Sequence, residues 1–381
     1  MAQAHGAISR VGGLAVYGAI RAGIAAACVP SAPTLLSVAR RLGGWWAAAP
    51  FNRKRLARAV ENLAVAFPEW DEPTRRRFAA GAYEHMMMLG VELAYTPRLL
   101  TLDEWAERVR LDVDPRIVQA AVDGRPVIFI TGHCGNWELS GYILALLGFR
   151  VHALYRPLDL EPLDRWVRQT RQRRGLELLD QFGAARHLPE ILSRGDMLGF
   201  IADQNGGDRG LFVPFFDRLA SSYKAIGVMA TRYGATVICG MARRLDRATP
   251  PGIDLRPEPR GMHYAVTVED VFGPDEYGAQ PDPVFYITAR YRRAIEACVR
   301  RAPEQYLWMH RYWKSRPRHE RFGRPFPASL REKLRALPWM TAEDLERIEA
   351  WSRRDAEAYA RDRAGRKQPE PAESEGDDEG M

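Results

Sequence analysis

Near residue 125 the hydrophobic pattern of this chain changes period. Before that point, in residues 55–67 and again in 74–95, apolar side chains recur at the three- and four-residue spacing of a helix that buries one face. Residues 1 to about 110 read as helical throughout. After it comes Val127 to Ile130, a short uncharged run bounded by Gly124, Arg125 and Pro126 on one side and Gly132 on the other. Such a run fits a strand buried on both faces. Helical spacing then resumes in Leu139, Tyr142, Ile143 and Leu146, with Asn136 placed to cap the helix and Gly148 to stop it.

The alternation continues. Strands are expected at 150–155, 197–203, 235–242 and 263–271, and helices at 161–174, 184–193, 223–233 and 283–301. A glycine-rich loop, residues 204–210, follows the second of these strands. Strands and helices in this order predict an α/β fold: a mainly parallel mixed sheet flanked by helices, with a helical N-terminal membrane-docking region. The expected division is a helical region at 1–110, an α/β core at 111–320, a charged helical extension at 321–363 and a disordered acidic tail at 364–381.

Composition refines this picture in three places. The net charge is +7, yet the last thirteen residues hold six acidic groups and no basic one, so the remainder carries +13. A body so charged favours anionic partners, whether a phospholipid surface, an acidic carrier protein or nucleic acid. The four cysteines, Cys28, Cys134, Cys239 and Cys298, form no metal-binding or disulfide spacing. Residues 14–30 are apolar but interrupted by Arg21 and closed by Pro30, short of a comfortable membrane span. A secretory or lipoprotein signal is a second reading of that stretch. In residues 35–59, Trp45 and Trp46 lie between basic clusters, as in an interfacial helix. The competing reading is an amphipathic helix packed on the domain.

The candidate chemistry sits where the strand at 127–130 hands over to its helix. In open parallel sheets the ligand crevice forms at the carboxyl ends of the strands, and His133, with Glu138 five positions on, stands at such an end. A neutral histidine can take a proton from a hydroxyl, and a carboxylate can hold its ring in the required tautomer. His133 is thus a candidate general base and Glu138 its orienter, against the alternative of a core histidine with its hydrogen bonds satisfied. Backbone N–H groups near Gly135 and Asn136, at the helix start, are placed to face an oxyanion. Cys134 as nucleophile is disfavoured, because neighbours on an extended segment point to opposite sides.

Arg156 and Asp203 also follow apolar strands and so share the edge with His133. A purely structural Arg156–Asp203 pair is the other reading. Gln204 and Asn205 either meet polar groups of a substrate or belong only to a turn. The stretch at 310–324 interleaves aromatic and basic residues in the manner of single-strand nucleic-acid binders. No recognition fold accompanies it, and nucleic acid is not expected as a partner.

Five blocks in order, GHCGNWE (132–138), YRP (155–157), ADQN (202–205), VPFF (213–216) and APEQYLWMHRYWKSRP (302–317), resemble the bacterial lipid A biosynthesis acyltransferases. These are relatives of the glycerolipid acyltransferases that share a His-x4-Asp/Glu motif. The resemblance implies O-acyl transfer from an acyl carrier protein or coenzyme A thioester to a hydroxyl of a membrane glycolipid, at the cytoplasmic face of the bacterial inner membrane. It implies catalytic roles for His133 and Glu138, with Arg156 meeting a phosphate or the oxyanion and Asp203 holding Arg156 in place. Asn136 and Gln204 join Arg156 and Asp203 as expected substrate-binding residues. Neither a metal nor a redox cofactor is called for. A phosphatidylinositol mannoside is the alternative acceptor, and a nonenzymatic membrane or nucleic-acid binding protein the alternative of another class.

Overall fold

A computed structural model describes residues 10–27, 29–101, 104–112, 114–172, 175–180, 186–245 and 262–365. The acidic stretch from 366 onward and Cys28 lie outside the described residues.

Among the described residues four long helices, Arg10–Ala27, Ala32–Ala48, Arg53–Ala66 and Glu72–Leu99, and the single turn Trp105–Arg108 precede the sheet. The second and fourth begin as their sequences dictate. Ser31 and Asp71 accept hydrogen bonds from Thr34 and Thr74 backbone N–H groups, and each helix has proline in its first two positions, where no N–H is needed. Among the described residues no helix is long and apolar enough to cross a membrane.

The strands, in chain order, are β1 (Val109–Leu111), β2 (Val127–Thr131), β3 (Val151–Tyr155), β4 (Leu176–Asp180), β5 (Met197–Ile201), β6 (Leu211–Phe215), β7 (Arg218–Ser222), β8 (Thr236–Arg244) and β9 (Tyr264–Phe272). Seven of them form one sheet in the order β1-β9-β8-β2-β5-β3-β4. Every pair is parallel except β8 with β9. The fold is therefore α/β with a mostly parallel mixed sheet flanked by helices. β2 lies in the middle and is buried along its whole length. Its even residues, Ile128 and Ile130, join the core beneath helix Pro283–Arg301, while Val127 and Phe129 join a second core on the opposite face. That two-sided burial is why its sequence is an unbroken apolar run.

β2 is also where the chain changes direction across the sheet. The connection through helix Trp137–Leu146 leads to β3 on one side, whereas helix Lys224–Tyr233 leads to β8 on the other. A crevice opens at the carboxyl ends of strands at such a reversal.

β1, β4 and the hairpin β6–β7 are absent from the sequence reading, which takes residues up to about 110 as helical. Pro214 inside β6 argues against a strand in a large sheet, and β6 pairs only with β7. The two-residue turn between them is Phe216 and Asp217, both at positive φ (51° and 57°), a conformation usually signalled by Asn-Gly or Asp-Gly. Here tertiary contacts hold it instead. Phe216 is buried against Phe67 and Trp308, and its N–H donates to Glu296 Oε2 at 2.7 Å.

Candidate functional site

The register of two parallel strands brings the central pair together. β2 and β5 are paired up to Thr131 opposite Ile201, and the next N–H, of Ala202, donates to the Thr131 carbonyl. One residue further, His133 and Asp203 face each other. The His133 backbone N–H donates to Asp203 Oδ2 at 2.8 Å, and Nδ1 lies 2.7 Å from Oδ1. Asp203 is fully buried, and the His133 side chain is 15% exposed.

Their protonation states follow from this contact. Burial alone would raise the Asp203 pKa, but the His133 charge, its two hydrogen bonds and the nearby Arg292 guanidinium bring it down to about 2. Burial works against a charged His133, yet the Asp203 carboxylate, and after it Glu138, raise its pKa above the ordinary imidazole value. An ionised carboxylate only accepts hydrogen bonds, so in the neutral ring Nδ1 carries the proton and Nε2 is the unprotonated nitrogen. Nε2 points toward the Gln204 side-chain amide, 3.5 Å away. Trp137 packs edge-on at 5.1 Å between ring centroids and His310 sits at 5.0 Å.

The turn that follows His133 is held on every side. Gly135 takes a left-handed conformation (φ 58°), and a Cβ there would come within 2.4 Å of the Ala242 carbonyl oxygen, so only glycine fits. The Gly135 N–H donates to the Gln305 carbonyl, and the Asn136 N–H to Ala242. Leu307 N–H donates to the His133 carbonyl. Beneath lies a buried polar network. Asn136 Nδ2 donates to Glu92, whose carboxylate also accepts from Arg244 Nε. Arg244 Nη2 donates to His85 Nδ1, which leaves His85 Nε2–H to donate to the Gly135 carbonyl at 3.1 Å. Burial, reinforced by Arg244, holds the His85 pKa well below its ordinary value, in accord with that neutral tautomer.

Several expected residues stand elsewhere than the sequence suggested. Glu138 is not on the His133 ring: it accepts a hydrogen bond from Arg171, and the carboxylate that orients His133 is Asp203. The reason is geometric. Glu138 is one residue into helix Trp137–Leu146, whereas Asp203 is carried by the strand adjacent to β2. Asp203 does not hold Arg156: its oxygens accept from His133, and Arg156, which follows β3 beyond the end of the β3–β5 pairing at Ala153 and Gly199, is exposed at the cavity edge. Asn136 is 1% exposed and caps its helix through Leu139 N–H, so it faces inward and not toward a ligand. The Gly135 and Asn136 N–H groups are bound to carbonyls and do not form an oxyanion hole. Gln204 does lie beside His133 and lines the cavity. Asn205 instead bonds Ser315, tying the post-strand loop to the segment after residue 310. In that segment Tyr312 and Trp313 are buried, so they form no stacking platform for bases. Cys134 is free and fully buried, as its alternation with His133 requires.

Arg171 and Arg292 carry no sequence signal of their own, and His310 stands in the block at 302–317 without being singled out there. Arg292, on helix Pro283–Arg301, is fully buried and donates to the Asp203 carbonyl at 2.7 Å. Its arginine-rich helix reads as an amphipathic one, and only the fold turns this residue inward.

From His133 an open cavity of about 630 Å³ extends over and between the strands. Beside His133, its polar part comes from Thr131, Glu138, Arg156, Arg171, Gln204 and Tyr223. Most of the remaining lining is apolar, drawn from β2, β3, β4 and β5 and from helix Lys224–Tyr233. The arrangement thus joins an imidazole oriented by a carboxylate, its unprotonated nitrogen beside the Gln204 amide, to a mostly apolar space.

Residues 15–315 match the family described as bacterial lipid A biosynthesis acyltransferase. The chain is similar to the lipid A biosynthesis palmitoleoyltransferase of Escherichia coli (strain K12), 28% identical over 291 residues that cover 75% of this chain and 86% of that one. It is also similar to the lipid A biosynthesis lauroyltransferase of the same strain, 26% identical over 273 residues, 70% of this chain and 81% of that one. A lipid A biosynthesis acyltransferase of Haemophilus influenzae is 25% identical over 278 residues, 69% and 77% of the two chains.

Removing one partner of a buried ion pair costs about 3–5 kcal/mol, because the other charge stays buried. Glu92→Ala should therefore lower the unfolding free energy by about that amount in a denaturant titration. A loss under about 1 kcal/mol, the level of an exposed pair, would show that the network does not support the turn.

Proposed function

This chain belongs to the bacterial lipid A biosynthesis acyltransferases, and from that premise we propose that His133 is the general base that passes a fatty acyl group from a thioester to a hydroxyl of a lipid A precursor. The family assignment makes the protein an O-acyltransferase of lipid A biosynthesis. The observation that supports this base is the unprotonated Nε2 that the Asp203 contact at Nδ1 leaves facing the cavity, beside the Gln204 amide.

The reaction proceeds as follows. Nε2 takes the proton of the acceptor hydroxyl as its oxygen attacks the thioester carbonyl. The new carbon–oxygen bond forms, the carbon–sulfur bond breaks, and the departing thiolate recovers the proton from the imidazolium. Asp203 keeps the ring in the required tautomer and stabilises its charged form, a contribution that belongs to a positioned base worth about 10²- to 10⁴-fold. Gln204 supplies an amide donor beside the reacting atoms for the developing oxyanion. Glu138 and Arg171 hold one wall of the mouth, and Arg156 offers an exposed guanidinium to a phosphate of the acceptor or of the donor's phosphopantetheine. Acyl carrier protein and coenzyme A both present that thioester arm. A lipid A precursor is favoured over a phosphatidylinositol mannoside as acceptor because the similar proteins are named for lipid A. The acyl groups in those names differ, palmitoleoyl and lauroyl.

For membrane contact we propose the N-terminal helices. Leu42, Trp45 and Phe51 are exposed (54%, 63% and 64%) beside the exposed Arg41, Arg53 and Lys54, a combination suited to an anionic bilayer surface. This agrees with a place at the cytoplasmic face of the bacterial inner membrane.

In cells lacking this protein, intact-lipid mass spectrometry should show lipid A precursors short of one acyl chain. The wild-type sequence should restore the mass, and His133→Ala should not. Unchanged lipid A, with another lipid losing an acyl group, would refute the acceptor. In flotation with phosphatidylglycerol vesicles, Leu42→Ser with Trp45→Ser should reduce recovery at least tenfold, since burying each apolar side chain is worth about 1.5–3 kcal/mol. Equal recovery would place docking on another surface.

A further inference from the structure

His133 has a second side. The cavity lies on one, and among the described residues that line it none comes from helix Arg53–Ala66 or from the chain beyond Met229. Away from the cavity stands His310, its ring centroid 5.0 Å from that of His133. Burial, and after it the His133 charge, keep the His310 pKa below the ordinary value, so the base has a neutral neighbour there. Helix Arg53–Ala66 holds that neighbour in place. Asn62 is buried and donates from Nδ2 to the carbonyls of Trp308 (2.7 Å) and His310 (2.8 Å). One turn earlier on the same face, Arg58 Nη1 donates to the Met309 carbonyl at 3.4 Å, and Arg55 stands a further turn toward the start of the helix. Arg311, next to His310 in the chain, is exposed.

These three cations are unmatched. Arg58 is half-buried, yet the Met309 carbonyl is its one hydrogen-bond acceptor among the described residues, and neither it nor Arg55 nor Arg311 is paired with a carboxylate there. Other arginines drawn into the fold are matched, Arg218 and Arg316 by Asp355 and Arg290 by Asp270. A charge kept partly from water without a counter-ion is costly. A guanidinium so placed suits a phosphate, which accepts from two of its N–H groups at once. The face also has a direction. Helix Arg53–Ala66 starts beside Phe51, with Arg53 and Lys54 in its first turn, at the surface proposed above for the bilayer. Arg55, Arg58 and Asn62 carry it inward, Asn62 standing about 10 Å along the axis from Arg55. At its inner end are His310 and the base.

We infer that Arg55 and Arg58, with Arg311, bind a phosphate of the glycolipid acceptor and bring its hydroxyl from the bilayer to His133 on the side away from the cavity. The inference rests on the acyl-transfer reading of the same site. It separates the two substrates. Arg156, which lines the cavity, is left to the phosphopantetheine of the thioester donor, and the face of helix Arg53–Ala66 serves the acceptor.

The test assays the full chain in neutral detergent micelles, where no bilayer surface contributes, with a phosphorylated lipid A precursor and with the same lipid after phosphatase treatment. A hydrogen bond to a charged group changes binding by about 10- to 100-fold. Arg58→Met should therefore raise the KM for the phosphorylated acceptor at least tenfold and leave kcat and the donor KM near wild type. Arg58→Lys, which keeps the charge, should lose less. The dephosphorylated acceptor should give wild type and Arg58→Met the same KM. Arg55→Met, at an exposed position, should shift the acceptor KM in the same direction and guards against failure of the Arg58 variant to fold. An acceptor KM unchanged in both Met variants, or a donor KM that rises by the same factor, would overturn the inference. An equal loss on both acceptors would overturn it by marking a structural role. So would an unchanged acceptor KM joined to weaker flotation with phosphatidylglycerol vesicles, which assigns the arginines to bulk lipid. If the wild-type protein transfers no acyl group to either acceptor, the acyl-transfer reading itself fails, and this inference with it.

Discussion

Two parallel strands ending in register decide what this site can do. Because β2 and β5 run side by side to Thr131 and Ile201, the residues just beyond them meet, and a histidine and an aspartate occupy those positions. A carboxylate buried as fully as Asp203 is costly unless paired and hydrogen-bonded. It is paired with the His133 ring and accepts the His133 N–H, while Arg292 anchors its backbone carbonyl from below. Arg292 in turn lies 4.1 Å over the Phe215 ring. The base, its orienter and the positive charge behind them thus form one column that runs from β2 through β5 into helix Pro283–Arg301.

The rest of the molecule keeps that column in place and open on one side. Residues 305–307 pair with the turn after β2, and Ser315 is tied to Asn205 just past Asp203. Arg316 is buried, paired with Glu320 and Asp355, and Asp355 belongs to the long helix Ala342–Gly365. The C-terminal helix therefore braces the segment that braces the site. On the open side the constraint is reversed, and small residues and an interrupted strand pairing leave room.

Much of this architecture is legible in the sequence because it depends on local rules. The unbroken apolar run of β2, the Asn136 cap and the limits of helix Pro283–Arg301 all follow from periodicity and capping. The site was legible only in part. His133 announces itself by standing after a buried strand, but its partner does not. Sequence proximity favours Glu138, and only the strand order, with β5 inserted between β2 and β3, shows that the adjacent carboxylate is Asp203. Arg156 follows β3, which is not next to β2, and so it stays at the rim. The turn at Phe216 and Asp217 escaped for a related reason: distant aromatic contacts, not its own residues, stabilise it.

Everything proposed for this site depends on Asp203 holding His133 as the Nδ1–H tautomer, with Nε2 unprotonated in the neutral ring and the ring more basic than usual. Nitrogen-15 NMR of the histidine side chains, with the His133 signals assigned by their loss in His133→Gln, reads both properties in one pH titration. The expected result is a protonated Nδ1 and an unprotonated Nε2 in the neutral ring, a pKa above the ordinary value of about 6.5, and a fall in that pKa in Asp203→Asn. A neutral ring protonated at Nε2, or a pKa at or below the ordinary value that Asp203→Asn leaves unmoved, would contradict it.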